Sequence, residues 1–331
     1  MYLTETQGEF CRKHCLESMM GHAGEKKIFR RKGGKNRVRD FFLIPVLAVF
    51  IFIFVLYPPF CSDAGSGKFS VTYLDVGQGD SELISCEGHY MLIDGGTADQ
   101  SQKIYTVLKN RGISRLDYIV CTHPHADHEG GLPAALSCAD CGEALSPVAD
   151  SDSSVFRRFR AALDQHGVPL KVPNAGDRFT LGTAAFTVLG PTDTEPSMDP
   201  NDISLVLRAD YGKNSFLFTG DAEQEEQQLM MWNSYDLLNA DVLKAAHHGS
   251  SNGASYAFIA AVSPSVTVIS CGKGNSYGHP QKKTLDLLKD AKSNLYRTDL
   301  QGDVTVTSDG KDLSVSTAKN PDADVWQAGK K

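Results

Sequence analysis

Three imidazoles and a carboxylate lie within six consecutive residues, as His123, His125, Asp127 and His128 in an H-x-H-x-D-H arrangement. Imidazole nitrogens and carboxylate oxygens are ligands for zinc and similar divalent ions. Alternate residues at the end of an extended segment point the same way. His123 and His125 can therefore reach one ion, while Asp127 and His128, turning away, reach a second. An apolar run over residues 116–121 leads into the cluster and Gly130-Gly131 lead out of it. Three further apolar runs end in residues of the same kind: one in Asp94, one in Asp221 and one in the pair His247 and His248. Loops that follow strands carry much of the chemistry of layered folds.

The order Asp94, H-x-H-x-D-H, Asp221, His248 resembles the metallo-β-lactamase superfamily. Further strings are Leu74-Asp75-Val76-Gly77-Gln78-Gly79-Asp80-Ser81, Ser204-Leu205-Val206-Leu207, His247-His248-Gly249-Ser250-Ser251 and Tyr277-Gly278-His279-Pro280. Together they resemble the hydrolase domain of DNA-uptake competence proteins of the ComEC type, over residues 68–316. The resemblance implies a four-layer αββα sandwich with two divalent ions, zinc or manganese. His123 and His125 would hold the first ion, and Asp127, His128 and His248 the second. Asp221 would be shared, and His247 is the alternative to His248. Asp94 is expected to brace the ligand loops rather than bind metal. Two ions about 3.5–4 Å apart would supply a nucleophilic water near neutral pH and neutralise charge developing on a phosphoryl or acyl oxygen.

One departure stands out. The superfamily usually supplies another histidine between H-x-H-x-D-H and the bridging Asp. The only histidine in that interval is His166, near the end of a predicted helix and read as a surface residue. Pro200-Asn201-Asp202 occupies the expected place, so Asn201, Asp202 or water fills the position. An oxygen-richer site admits manganese beside zinc. Asp127 and His279 are the candidate catalytic side chains. His279, between a predicted strand and a predicted helix, would bind a substrate phosphate or protonate a leaving group. Lys244, Ser250 and Lys273 are weaker candidates for substrate contact.

The elements that must position these groups alternate along the chain. Strands are expected over residues 69–74, 81–86, 90–93, 116–121, 186–189, 203–208, 215–218 and 266–269. Helices are expected over residues 100–111, 153–165, 222–232 and 281–292, from apolar residues at helical spacing and acidic starts. Residues 303–307 and 313–316 read as a closing hairpin. One domain over residues 63–331 accounts for all of this.

The N-terminal part has a different character. Residues 41–62 contain no charged side chain, and a helix over them would approach the ~30 Å of a bilayer core. Residues 26–39 hold eight Lys or Arg and no acid. By the positive-inside rule the leader, residues 1–40, stays cytoplasmic and the domain lies outside a single-pass cell-membrane anchor. A cleaved signal peptide is the alternative, but the polar leader is long for one. The domain carries 23 basic and 35 acidic side chains, so it lacks the broad basic surface that grips nucleic acid by displacing counterions. Cys86 and Cys121 read as core residues. Cys138 and Cys141 form a lone C-x-x-C, for which a disulfide is the expected state outside a membrane and a free pair the alternative.

These features point to a membrane-anchored, extracytoplasmic hydrolase of a phosphodiester, foremost DNA. A hydrolase of another ester or lactone is the second reading, and a metal-stabilised surface binding module the third. With one apolar stretch only, DNA uptake would need separate channel or uptake proteins.

Overall fold

The structure is a computed structural model that describes residues 68–192 and 199–329. The expected leader and membrane anchor lie outside the described residues. No helix among the described residues is long and apolar enough to cross a membrane.

The strands are β1 (Phe69–Tyr73), β2 (Glu82–Cys86), β3 (His89–Ile93), β4 (Arg115–Val120), β5 (Asp140–Leu145), β6 (Leu170–Lys171), β7 (Arg178–Leu181), β8 (Ala184–Gly190), β9 (Val206–Tyr211), β10 (Asn214–Phe218), β11 (Val242–Lys244), β12 (Val266–Ile269), β13 (Asn294–Arg297), β14 (Val304–Ser308) and β15 (Leu313–Thr317). The helices are α1 (Ser101–Asn110), α2 (Ala126–Glu129), α3 (Leu132–Leu136), α4 (Ser154–His166), α5 (Gln224–Asn233), α6 (Tyr256–Val262), α7 (Lys282–Asp290) and α8 (Thr298–Gln301). One sheet runs β15-β14-β1-β2-β3-β4-β5-β6 and the other β13-β12-β11-β10-β9-β8-β7.

Alternation along each strand sends one set of side chains to each face. Phe69, Val71, Ile84 and Val306 of the first sheet meet Phe186, Leu207, Phe216 and Val268 of the second in one buried core. Phe69 is its hinge, with ring centroids 4.8 Å from Phe216 and 5.7 Å from Tyr211. The opposite faces are covered by helices. Ile104 and Leu108 of α1, Leu132 of α3 and Phe156, Phe159 and Leu163 of α4 cover the first sheet. Met230 of α5, Phe258 of α6 and Leu285 and Leu288 of α7 cover the second. This is the expected αββα layering.

Both sheets change from antiparallel to parallel pairing midway. β3 through β6 are parallel, and so are β10 through β13. Parallel strands bring their C-terminal ends to one edge, where ligands bind in open α/β sheets. Asp94 follows β3, His123 follows β4, Asp221 follows β10, His247 and His248 follow β11, and His279 follows β12.

Several elements differ from expectation. β9 starts three residues later than the apolar run, because Leu205 spends its N–H on the Thr122 carbonyl of the first sheet, 2.7 Å away. β5 and β13 escape the apolar pattern. β5 contains Gly142 and Glu143 and is made a strand by parallel pairing with β4. The expected Cys138–Cys141 disulfide is not formed: both thiols are free. Cys138 belongs to the turn after α3 and donates to the Ala135 carbonyl, 3.4 Å away. Cys141 sits in β5 and donates to Glu143, 3.3 Å away. Cys86 and Cys121 are fully buried, as core residues should be.

Candidate metal centre

The histidine motif works because the backbone changes conformation within it. His125 is extended, with φ −102° and ψ 149°, and the helical turn α2 starts at Ala126. His123 and His125 therefore share one side, with Nε2 of His123 3.0 Å from Nδ1 of His125. Asp127 and His128 rotate with the turn towards His248. The loop is seated by main-chain hydrogen bonds: Asp80 donates to the Asp127 carbonyl (3.1 Å) and Gly95 to the His128 carbonyl (2.6 Å). A side chain at Gly79, which has φ +148°, would run into the Asp127 carbonyl.

Each ligand is oriented from behind. Asp94 is fully buried and accepts from the Thr122 amide (2.8 Å) and hydroxyl (2.6 Å). The oxygen that accepts from the hydroxyl, Oδ2, also takes the Nδ1–H of His128 at 2.8 Å. That leaves His128 Nε2 3.3 Å from Asp221 Oδ2. His248 donates Nδ1–H to the Ser270 carbonyl, 3.1 Å away, which turns its Nε2 to Asp127 (3.3 Å) and Asp221 (3.5 Å). The Ser204 hydroxyl accepts from the Asp221 amide at 3.0 Å and lies 3.4 Å from His123 Nδ1. His247 and His248 both adopt left-handed backbone, with φ 47° and 54°. Such geometry costs of order 1–3 kcal/mol per residue and collects at functional sites. Here it separates the pair. His248 turns inward and is buried, while His247 stays half-exposed with Nδ1 on Glu223 at 2.6 Å. Of the two, His248 is the one grouped with donors that could hold a metal ion, and His247 lines the cavity.

The residues fit divalent ions. Four groups of three offer donor atoms within 4.8 Å of one another: His123, His128 and Asp221; Asp127, His128 and His248; Asp80, Asp221 and His248; and Asp80, Asp94 and His128. Nε2 of His128 and His248, Oδ1 of Asp221 and Oδ1 of Asn201 are buried without hydrogen-bond partners. Buried polar atoms are rarely left so. The charge balance says the same. Asp80, Asp94, Asp127 and Asp221 all border the site, and the buried lysine there, Lys244, pairs with Asp80. Burial pulls the His248 imidazole down, but Asp221 and Asp80 outweigh it and push it up to about 10. His128 is likewise raised against its burial by Asp221 and Asp94. In the metal-free protein, imidazolium thus does the work of a cation.

That state has a measurable consequence. His248 gains its proton on folding, so its contribution to metal-free stability is complete below the unfolded value of about 6.5 and is lost as pH rises through about 10. With chelator present, the melting temperature of the domain should fall between pH 7 and 9.5. Saturating zinc should flatten that fall, because the ligating nitrogens are then deprotonated at the start. A chelated protein whose melting temperature is level over this range would contradict the charge assignment.

The other expected residues divide. Asn201 lines a cavity of about 190 Å³ with His125, Asp127, Asp221, His248 and His279, so it sits where the missing histidine was sought. Asp202 does not reach the cavity as a ligand. Its carboxylate caps α5, accepting from the amides of Glu223 (2.8 Å) and Glu226 (3.3 Å). Lys244 is not a substrate contact, because it is buried and its ammonium is held by Asp80 and the Gly220 carbonyl (3.2 Å). Ser250 serves a turn, its hydroxyl accepting from the Asn252 amide at 3.2 Å. Lys273 is exposed near His279, and His166 is exposed at the end of α4.

His279 lines the same cavity, only 5% exposed, with its ring 5.5 Å from that of His247. Asn275 builds its loop, with Oδ1 accepting from the His279 amide (3.0 Å) and Nδ2 donating to the His279 carbonyl (2.7 Å). Asp80, Ser204 and Asn275 carry no role in the sequence reading. Asp80 and Lys244 do leave a signal: each is a charge beside an apolar run, and such charges need partners when buried.

A family model described as the metallo-beta-lactamase superfamily matches residues 74–273. The chain belongs to the metallo-β-lactamase superfamily. Members are generally metal-dependent hydrolases, and the fold binds divalent metals, typically zinc. The chain is 30% identical to "ComE operon protein 3" of Bacillus subtilis over 77% of its length and 34% of that protein. It is 30% identical to "Competence protein ComA" of Neisseria gonorrhoeae over 75% of this chain and 33% of that one. It is also 30% identical to "Recombination protein 2" of Haemophilus influenzae over 76% and 30%. The chain spans about a third of the length of these curated relatives.

Proposed function

We propose that the domain is a dinuclear metal-dependent phosphodiesterase acting on DNA. The observation that carries the metal reading is the convergence of two orphaned imidazole nitrogens, His128 Nε2 and His248 Nε2, on Asp221. The similarity to competence proteins favours a nucleic-acid phosphodiester. His123, His125, Asp221 and Asn201 would hold one zinc or manganese ion, and Asp127, His128, His248 and Asp221 the other. When bound, the ions supply a nucleophile at neutral pH and stabilise charge on the phosphoryl oxygens. Asp94, Ser270 and Ser204 fix the ligand orientations, and such supports are typically worth 10–100-fold in affinity or activity. The acidic domain surface leaves phosphate recognition to this cavity rather than to a broad basic face. Metal analysis, with turnover of DNA and of a small phosphodiester, tests the reading. Hydrolysis of a lactone or carboxylic ester without phosphodiester turnover would replace it, and a metal-loaded protein with no hydrolysis at all would make it a binding module.

Of the two roles expected for His279, electrostatics supports hydrogen-bond donation to the substrate. Burial, together with the neighbouring His248 and His247 imidazoles, pulls its imidazole down to about 4. At neutral pH it is uncharged, so its N–H donates a hydrogen bond to a phosphoryl oxygen rather than giving up a proton. Loss of one such donor to a developing oxyanion costs on the order of 10²–10³ in rate. His279→Ala should therefore lower kcat about 10²-fold with metal content unchanged. The loss should be equal at pH 6 and pH 8 and for good and poor leaving groups. A deficit that shrinks with a better leaving group would return His279 to the role of proton donor.

The domain is further proposed to face the cell exterior, tethered by residues 41–62. The support is the run of basic residues before that stretch. Protease added to intact cells should release the domain. Cleavage seen only after lysis would reverse the orientation.

A further inference from the structure

We propose that a second cavity, of about 470 Å³, receives the larger alcohol arm of the ester, a ring-bearing group of nucleoside size; this rests on the phosphodiesterase reading above. The metal cavity holds only about 190 Å³. Sites that enclose a drug-sized ligand run about 300–1,000 Å³, so the metal cavity suits a phosphodiester centre but not its substituents. The neighbouring cavity lies within that range. The two meet at His279, which lines both, is nine-tenths buried and keeps Nδ1 without a hydrogen-bond partner.

The far wall is built rather than loose. Residues 320–329 cross the end of β13 and are held there by Arg297, itself 3% exposed. One edge of its guanidinium pairs with Asp299 at 3.0 and 2.8 Å. Its Nη1 donates to the carbonyls of Val325 (3.0 Å) and Gln327. Gly329 donates its amide to the Pro280 carbonyl at 2.8 Å. A Cβ there would come within 2.7 Å of the His279 carbonyl carbon, so the segment lies directly on the His279 loop.

The lining then sets the class of ligand. Leu300, Ala323 and Ala328 give carbon surface. Asp299 pairs with Arg297, exposed Asp324 accepts from the Trp326 amide and Gln327 Nε2, and exposed Lys273 stands at the rim. An uncharged ring system suits the floor, and a further phosphate on that arm would meet Lys273.

The test compares thymidylyl-thymidine with methyl p-nitrophenyl phosphate, using the metal-loaded domain. Ala323→Trp, which fills the floor, should lower kcat/KM for the dinucleotide about tenfold or more. The small ester should stay within about twofold, which also certifies the fold. Equal changes on both esters, or none, would overturn the subsite. Lys273→Glu, an exposed change that cannot cost the fold, should raise KM about fivefold for a dinucleotide with terminal phosphates and leave the unphosphorylated one alone. If the terminal phosphates make no difference, the subsite is again overturned. A parent protein that turns over neither ester sinks the phosphodiesterase reading and the subsite with it. Turnover that ignores both variants sinks the subsite alone.

Discussion

Asp221→Ala should leave a folded domain that retains one divalent ion or fewer per chain and loses ester turnover by about a thousandfold or more, equivalent to about 4 kcal/mol of transition-state stabilisation. Asp221 belongs to two of the donor groups, one with His123 and His128 and one with Asp80 and His248. Its Oδ2 lies 3.3 Å from His128 Nε2, 3.5 Å from His248 Nε2 and 3.8 Å from His247 Nε2, and it shares a donor group with His123. Its own carboxyl is held well below the usual range: burial raises it, but the positive charges of His248 and His128 prevail. It is therefore the anion to which the surrounding imidazoles answer. The backbone around it is fixed independently, because Ser204 holds its amide, so the substitution removes a ligand without unmaking the loop. Metal content by elemental analysis and turnover of a phosphodiester give the answer together. Two ions retained, or a rate within tenfold of the parent, would remove Asp221 from the bridging role.

The largest effect on stability should come from Lys244→Met. Lys244 and Asp80 are each 1% exposed and paired beneath the metal centre. Burial raises the Asp80 carboxyl, but Lys244 and then His248 outweigh it and hold it ionised. Removing one partner of a buried pair strands the other and costs about 3–5 kcal/mol. For a domain of this size the melting temperature should drop by roughly 10 °C. The double variant Asp80→Leu, Lys244→Met should recover part of that loss, since replacing both charges removes the stranded group. It should not recover metal affinity, because Asp80 also lies 3.4 Å from His248 Nδ1 and 3.8 Å from His128 Nδ1. Calorimetry on the three proteins separates these outcomes. A single variant that melts with the parent would show that the pair contributes no stability.

The sequence exposed the ligands more readily than their supports. His123, His125, Asp127 and His128 declare themselves by local spacing, because one strand end and one helical turn position all four. Asp94, Asp221 and His248 were legible as polar residues closing apolar strands. Ser204 was not, since a lone serine before a strand has no local signature of the contacts it makes across the sheets. Asp202 misled for a related reason. Beside Asn201 its composition suits a ligand, and only the approach of α5 turns it into a cap. The core strands followed from apolar runs. β5 and β13 did not, because their strand character comes from a neighbour in space.

The ligands arrive from both halves of the sandwich, the imidazole motif from the first sheet and the acid and last histidine from the second. Neither half alone holds the proposed set of ligands. A chain that has folded only as far as β8 presents the histidine cluster but not Asp221, His248 or His279. The proposed hydrolytic capacity would thus belong to the finished molecule alone. On the proposed reading, a chain still emerging would be chemically silent, and turnover would itself report that both halves have docked.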